Sequence, residues 1–139
     1  MIFKPHHTAI SVSNLSESIR FYELLGFIKK NHFRETDGSF EIVQMSLLDY
    51  NLELFNYREN DGKKIKFEYA NNLNEIGVKH LALEVEDAEE ALQLLITANL
   101  TTDDTEIKIA RSLSNSKYFF ITDPDGIWVE FIEDNREQR

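Results

Sequence analysis

Two stretches decide the fold: His7-Thr8-Ala9-Ile10-Ser11-Val12 and His80-Leu81-Ala82-Leu83-Glu84-Val85. Each opens on a histidine and then alternates in polarity, the pattern of a strand with one buried face. Each is followed by a helix start. Asn14 stands as a cap with Glu17 three residues on, and Asp87 stands likewise before Glu90, the spacing of a capping box. The first helix carries Leu15, Ile19, Tyr22 and Leu25 on one apolar side and stops at Gly26. The second carries Ala88, Ala91, Leu92, Leu95 and Ile96, and Asn99 stands where Gly26 stood.

Outward from the helices the same order continues. Strands are expected near Phe27–Glu35, Phe40–Leu48 and Asn51–Tyr57, with turns at Asp37-Gly38 and at the polar break Asp49-Tyr50-Asn51. The second half offers Glu106–Arg111, Ser116–Thr122 and Ile127–Glu133. Its last two strands are joined by Asp123-Pro124-Asp125-Gly126, in which Pro presets φ and Gly takes the left-handed residue. Leu52-Glu53-Leu54-Phe55 then matches Val129-Glu130-Phe131-Ile132. The chain therefore reads as one α+β domain of tandem β-α-β-β-β modules, a repeat that must be seen before the fold is assigned. Module one is expected over residues 4–57 and module two over 77–133. Arg58–Ile76 between them is polar and reads as a linker. The tail Asp134–Arg139 is charged and expected to fray.

A chain of 139 residues with 42% hydrophobic and 29% charged side chains is long enough for one ordinary domain with a core, and disorder is not the default. The formal charge of −10 repels phosphate backbones and anionic lipid, which argues against nucleic-acid and membrane partners. Cysteine is absent, so disulfides, thiolate metal sites and a cysteine nucleophile are excluded together. The start Met1-Ile2-Phe3-Lys4-Pro5-His6-His7 lacks the apolar run of a signal peptide. No segment approaches the roughly 20 apolar residues of a membrane span, and a cytoplasmic location is expected.

Each module thus supplies a histidine at its first strand and a glutamate in its last. Alternation puts His7 on one face with Ala9 and Ser11, opposite Thr8, Ile10 and Val12; His80 shares a face with Ala82 and Glu84. Glu53 points away from Leu52 and Leu54, and Glu130 away from Val129 and Phe131. The apolar faces pack on helices, which leaves all four residues on the faces that line a cleft. A lone histidine or glutamate on a strand is ordinarily structural or solvated. Four at equivalent places of a duplicated unit point instead to one shared divalent ion. Imidazole with carboxylate suits zinc, nickel, cobalt, iron or manganese, with positions left for water or substrate. His6 competes with His7, but alternation puts it on the helix side. His32 has no partner in the pattern.

The segments His7-Thr8-Ala9-Ile10-Ser11-Val12-Ser13-Asn14-Leu15, Ser18-Ile19-Arg20-Phe21-Tyr22 and Gly26-Phe27 resemble the vicinal-oxygen-chelate superfamily. So do His80-Leu81-Ala82-Leu83-Glu84-Val85-Glu86-Asp87 and Phe120-Ile121-Thr122-Asp123-Pro124-Asp125-Gly126-Ile127-Trp128-Val129-Glu130. That superfamily includes glyoxalase I, methylmalonyl-CoA epimerase, fosfomycin-modifying enzymes, extradiol dioxygenases and metal-free drug-binding proteins. The resemblance implies a cupped, partly closed mixed sheet with helices on the outside. It also places the family's metal positions on His7, Glu53, His80 and Glu130. Glutamate at position 53 is similar to glyoxalase I, where the epimerase usually carries glutamine.

The activity so implied is that of a metal-dependent lyase or isomerase acting on a thiol–aldehyde hemithioacetal or related small carbonyl compound, through a metal-bound enediolate. Nickel or zinc is the expected cofactor, with cobalt, manganese or iron as alternatives. Glu130 is the expected base, exchanging roles with Glu53. Phe55 and Trp128, two residues from these glutamates, are candidates for an apolar wall. Arg34, Arg111 and Lys117 are candidates for a substrate carboxylate. The positions that hold glutathione in glyoxalase I fall on Ser11, Tyr57 and Ile76, and its lysines near Ser114 and Ser116, so the thiol is left open. The alternatives are a metal-free small-molecule binding protein, or a thiol transferase or epimerase of the same superfamily. A homodimer is expected, since two-fold pairing makes two shared sites from short chains.

Overall fold

Both helices begin at the caps the sequence offers. The Asn14 side chain accepts the Glu17 N–H at 3.1 Å to start α1 (Leu15–Leu24), and Asp87 accepts the Glu90 N–H at 2.8 Å to start α2 (Ala88–Thr97). They also end alike. Gly26 (φ 103°) and Asn99 (φ 60°) both take the left-handed region, and the next residues, Phe27 and Leu100, donate back to Tyr22 and Leu95 at 3.0 and 2.9 Å. This is the six-to-one closure of a Schellman end, for which Gly and Asn are the natural residues. The structure, a computed structural model, describes residues 1–63 and 73–137.

The chain divides into two units, Met1–Ile65 and Lys66–Arg139. The first contains β1 (Thr8–Ser11), α1, β2 (Ile28–Arg34), β3 (Phe40–Leu47) and β4 (Tyr50–Tyr57). Its mixed four-stranded sheet runs β1-β4-β3-β2, with β1 parallel to β4 and the remaining pairs antiparallel. The second repeats it with β5 (Leu81–Glu84), α2, β6 (Lys108–Ala110), β7 (Ser116–Thr122) and β8 (Trp128–Glu133), ordered β5-β8-β7-β6. The repetition extends to single residues: Ala9 lies opposite Glu53, and Ala82 opposite Glu130. The expected α+β class and tandem β-α-β-β-β order are therefore what the chain forms.

In each unit one sheet face packs on the helix. Val43, Met45, Leu52 and Leu54 are buried beneath α1 with Phe21, Tyr22 and Phe27. Phe119, Ile121, Val129 and Phe131 are buried with Ala88 and Leu95 of α2. Phe119 and Phe131 stack at 5.1 Å. Burying each such side chain contributes about 1.5–3 kcal/mol, so these layers, not helix propensity, hold the modules together.

Boundaries moved where a turn or bulge intervened. The β3–β4 hairpin turns at Leu48-Asp49, with Leu48 at φ 51°, so Tyr50 already pairs with Leu47. The sixth strand is only Lys108–Ala110, and Arg111–Leu113 is a 3-10 turn. The register of β2 on β3 shifts between Lys29 and Asn31, a bulge that turns the following side chains over. In the expected linker, Arg58–Asn60 forms a 3-10 turn and the Gly62 N–H donates to Ser13 at 3.1 Å; residues 64–72 lie outside the described residues. Asn135 donates its N–H to Ser116 Oγ at 2.8 Å and its amide to the Asn115 carbonyl. Residues 138–139 lie outside the described residues. No described helix is long and apolar enough to cross a membrane.

Candidate metal centre

The sheet face away from each helix carries a glutamate, Glu53 in β4 and Glu130 in β8, and each meets a histidine that stands one residue before the first strand of its unit, not within that strand as the sequence suggested. In the first unit His7 Nε2 lies 3.5 Å from Glu53 Oε2, and in the second His80 Nε2 lies 2.7 Å from Glu130 Oε2. Both glutamates are half-buried and sit between buried neighbours, Leu52 and Leu54 or Val129 and Phe131. Alternation leaves them no other face. Two donors on one ion at about 2.1 Å stand roughly 3.0 Å apart at a right angle and about 3.4 Å apart at a tetrahedral one. The two pairs lie just above and just below that range, and imidazole with carboxylate is a donor set that suits a divalent ion.

The surroundings of the two pairs differ. Around His7 and Glu53 the groups are polar. Gln44 Nε2 donates to Glu53 Oε1 at 2.8 Å, and His6 Nδ1 meets His7 Nδ1 at 2.7 Å. A cavity of about 250 Å³ is lined by His6, His7, Lys30, Gln44, Asn51 and Glu53, among others. Around His80 and Glu130 the groups are aromatic. Phe120 lies opposite Glu130 and meets the His80 ring edge-on at 5.0 Å; Trp128 meets Phe120 edge-on at 5.9 Å. A neighbouring cavity of about 530 Å³ is lined by Phe120, Trp128, Lys108 and the 101–106 segment.

Several sequence-level candidates fall elsewhere. Lys117 shares the helix-side face with Phe119 and Ile121 and pairs with Glu89 of α2 at 2.9 Å. Arg34 is turned to the helix side by the bulge in β2, where it and His32 both bond Glu41 Oε1 at 2.8 Å. Neither faces the cavities. Arg111 is exposed in its 3-10 turn. The lysines that line the two cavities are Lys30 and Lys108, which sequence reasoning missed. The Lys30 placement depends on the bulge, and Lys108 required the β6–β7 register that sets it opposite Tyr118. His6 was expected on the helix side, but the strand starts only at Thr8 and its ring lies against His7.

Of the positions matched to glutathione contacts, Tyr57 stacks on Phe40 at 5.1 Å and Ile76 is fully exposed. Ser116 is buried, bonded to Leu113 and Asn135. A separate acidic group, Asp87, Glu89 and Glu133, gathers at the start of α2. Its oxygens are already engaged: Asp87 caps Glu90, Glu133 accepts the Ala88 N–H at 2.8 Å, and Glu89 takes Lys117. The Lys117 ammonium holds the Glu89 carboxyl below its usual range. This cluster caps a helix, where negative charge is favoured.

Comparison with known proteins agrees with this architecture. The profile of the Glyoxalase/Bleomycin resistance protein/Dioxygenase superfamily matches residues 4–131. The chain is 31% identical to protein YwbC of Bacillus subtilis (strain 168) over 134 residues, 91% of this chain and 94% of that one. It is similar to the crystal structure of a glyoxalase family protein from Enterococcus faecalis, with TM-score 0.76 and 28% identity over 95% of this chain and 98% of that one. It is also similar to the trypanothione-dependent glyoxalase I of Leishmania major, with TM-score 0.63 and 26% identity over 91% and 83%.

Proposed function

The chain belongs to the glyoxalase/bleomycin resistance protein/dioxygenase superfamily, and from that premise we propose that it is a metal-dependent lyase of glyoxalase type. In this reading His7, Glu53, His80 and Glu130 are the ligands of one divalent ion, nickel or zinc foremost, and the substrate is a hemithioacetal or related small carbonyl compound. The observation that carries the reading is the recurrence of one imidazole–carboxylate pair in both modules. Two glutamates with two histidines give a donor set of the glyoxalase kind. The homodimer stays part of the proposal.

A bound divalent ion supplies positive charge to the oxygens of the substrate as negative charge develops on them. The chain's own residues do the rest. Glu130 takes the proton from the carbon that bears sulfur and hydroxyl, and returns it to the neighbouring carbonyl carbon. The hydroxyl-bearing carbon becomes a thioester carbonyl as its O–H proton passes to the neighbouring oxygen, and the former carbonyl becomes an alcohol. Atoms and electrons balance without an external oxidant. Phe120 and Trp128 form an apolar wall beside Glu130 that keeps water from competing for the proton, and Lys108 on the rim of the adjoining cavity is positioned for an anionic group of the substrate.

The test is turnover of methylglyoxal hemithioacetals, made with several thiols, by metal-loaded protein. Thioester formation by the wild type, abolished in Glu130→Gln with the ion still bound, is the expected result. Full activity in Glu130→Gln would remove the role given to that residue. A wild type that takes up no stoichiometric ion, and melts no higher with nickel or zinc, would favour a binding protein instead.

A further inference from the structure

The duplicated modules have kept the same ligand pair but surrounded it differently. Gln44 stands opposite Glu53 in one register, and Phe120 stands opposite Glu130 in the other. Ser46 opposite Asn51 corresponds to Thr122 opposite Trp128. His6 before His7 corresponds to Lys79 before His80. Module one has the polar Gln44 and Asn51 where module two has the aromatic Phe120 and Trp128, and an imidazole where module two has Lys79.

The polar groups of module one reach both candidate ligands, one series of bonds ending on His7 and a separate bond ending on Glu53. Ser46 Oγ donates to Asn51 Oδ1 at 2.6 Å, and Asn51 Nδ2 donates to the His6 carbonyl at 3.0 Å. His6 in turn places its Nδ1 2.7 Å from Nδ1 of His7. On the other side, Gln44 Nε2 holds Glu53 Oε1, leaving Oε2 as the oxygen that faces His7. Module two has no such series: His80 Nδ1 is buried with no hydrogen-bond partner among the described residues.

We propose that module one is the half that fixes the ion, with Gln44 and His6 as positioning residues. A contact between two ring nitrogens requires one proton between them. When His7 donates its Nδ1–H to His6 Nδ1, the Nε2 lone pair of His7 is left free and aimed beside Glu53 Oε2. Gln44 does the equivalent for the carboxylate by occupying the other oxygen. Outer partners of this kind orient metal ligands and typically change metal affinity about 10–100-fold when lost. Module two, with its aromatic surround, is the half left free to meet substrate. The inference rests on the four-ligand reading above but not on the reaction.

The experiment is calorimetric titration of apo-protein with Zn²⁺, with melting of the apo forms alongside. Gln44→Met and His6→Leu are each expected to weaken zinc binding about 10-fold or more, with the apo melting temperature unchanged. His6→Asn keeps an acceptor near the place of Nδ1 and is expected to restore affinity to within about 3-fold of wild type. Wild-type affinity in Gln44→Met and His6→Leu would overturn the proposal. So would affinity lost in parallel with apo stability and not restored by His6→Asn. Because zinc binding is read without turnover, an inactive protein that shows this pattern would sink the lyase reading alone, while an active protein without it would sink this one alone.

Discussion

Replacing Asp123 by Ala tests how firmly one turn holds the strand that carries Glu130. The Asp123 side chain is almost wholly buried, and its Oδ1 accepts N–H groups from both Asp125 and Ile127 at 2.9 Å. The main chain adds Gly126 N–H to the Asp123 carbonyl and Asp123 N–H to Ile127. Alanine keeps the main-chain bonds and strands two donors. Each lost bond to a charged acceptor costs about 1.5–3 kcal/mol; water reaches part of this turn, so the lower end applies and the sum is about 3 kcal/mol. For a chain of this size that lowers Tm by about 9 °C. Asn at 123 keeps a neutral acceptor in place and is expected to lose about half as much. Differential scanning calorimetry of the apo-protein reads both. Because β8 starts directly after the turn, Asp123→Ala is also expected to weaken zinc binding, whereas Asp123→Asn largely keeps it. An Asp123→Ala protein that melts within about 2 °C of wild type would show that the two side-chain bonds do not hold the turn.

Three further outcomes follow from placement and charge. Lys117→Ala and Arg34→Ala, on the helix-side faces, are expected to leave KM for any substrate unchanged, while Lys108→Ala raises KM for substrates carrying a carboxylate; steady-state kinetics reads the contrast. Glu41 is held below its ordinary value of 4.5, first by His32 and then by Arg34. A lowered carboxyl stabilises the fold above its unfolded pKa and loses that effect as pH falls through the folded value. The Tm gap between wild type and Glu41→Gln is therefore expected to shrink below about pH 4.5; a gap that widens on acidification would contradict this. Arg136 pushes the Asp134 carboxyl down from 3.8 to about 2, so Arg136→Ala is expected to raise the Asp134 titration toward its ordinary value in a carboxyl NMR titration.

What the sequence made legible was whatever depends on local chemistry. Asn14 and Asp87 as caps, Gly26 and Asn99 as left-handed ends, and the Asp123 turn all act within a few residues, and all appear where they were expected. The alternation around Glu53 and Glu130 was equally readable, because each sits between leucine, valine or phenylalanine neighbours that must be buried. What escaped depends on pairing between strands. Nothing near Lys30 announces the bulge that turns Arg34 and His32 to the helix side and puts Phe33 opposite Ile42. Leu48 carries the left-handed residue of a hairpin without being Gly, Asn or Asp, so the turn was set one position late. The Gln44–Glu53 bond needed the β3–β4 register, and with it the polar character of module one's half of the site.

The central claim is one ion held by four side chains from two modules. Metal analysis of the purified, zinc-loaded wild type, compared with His7→Ala, Glu53→Ala, His80→Ala and Glu130→Ala, tests it most directly. One zinc per chain is expected in the wild type, with the largest loss of affinity in His7→Ala and Glu53→Ala and a smaller but clear loss in His80→Ala and Glu130→Ala. Two ions per chain, or retention of full affinity when either module's pair is removed, would contradict it.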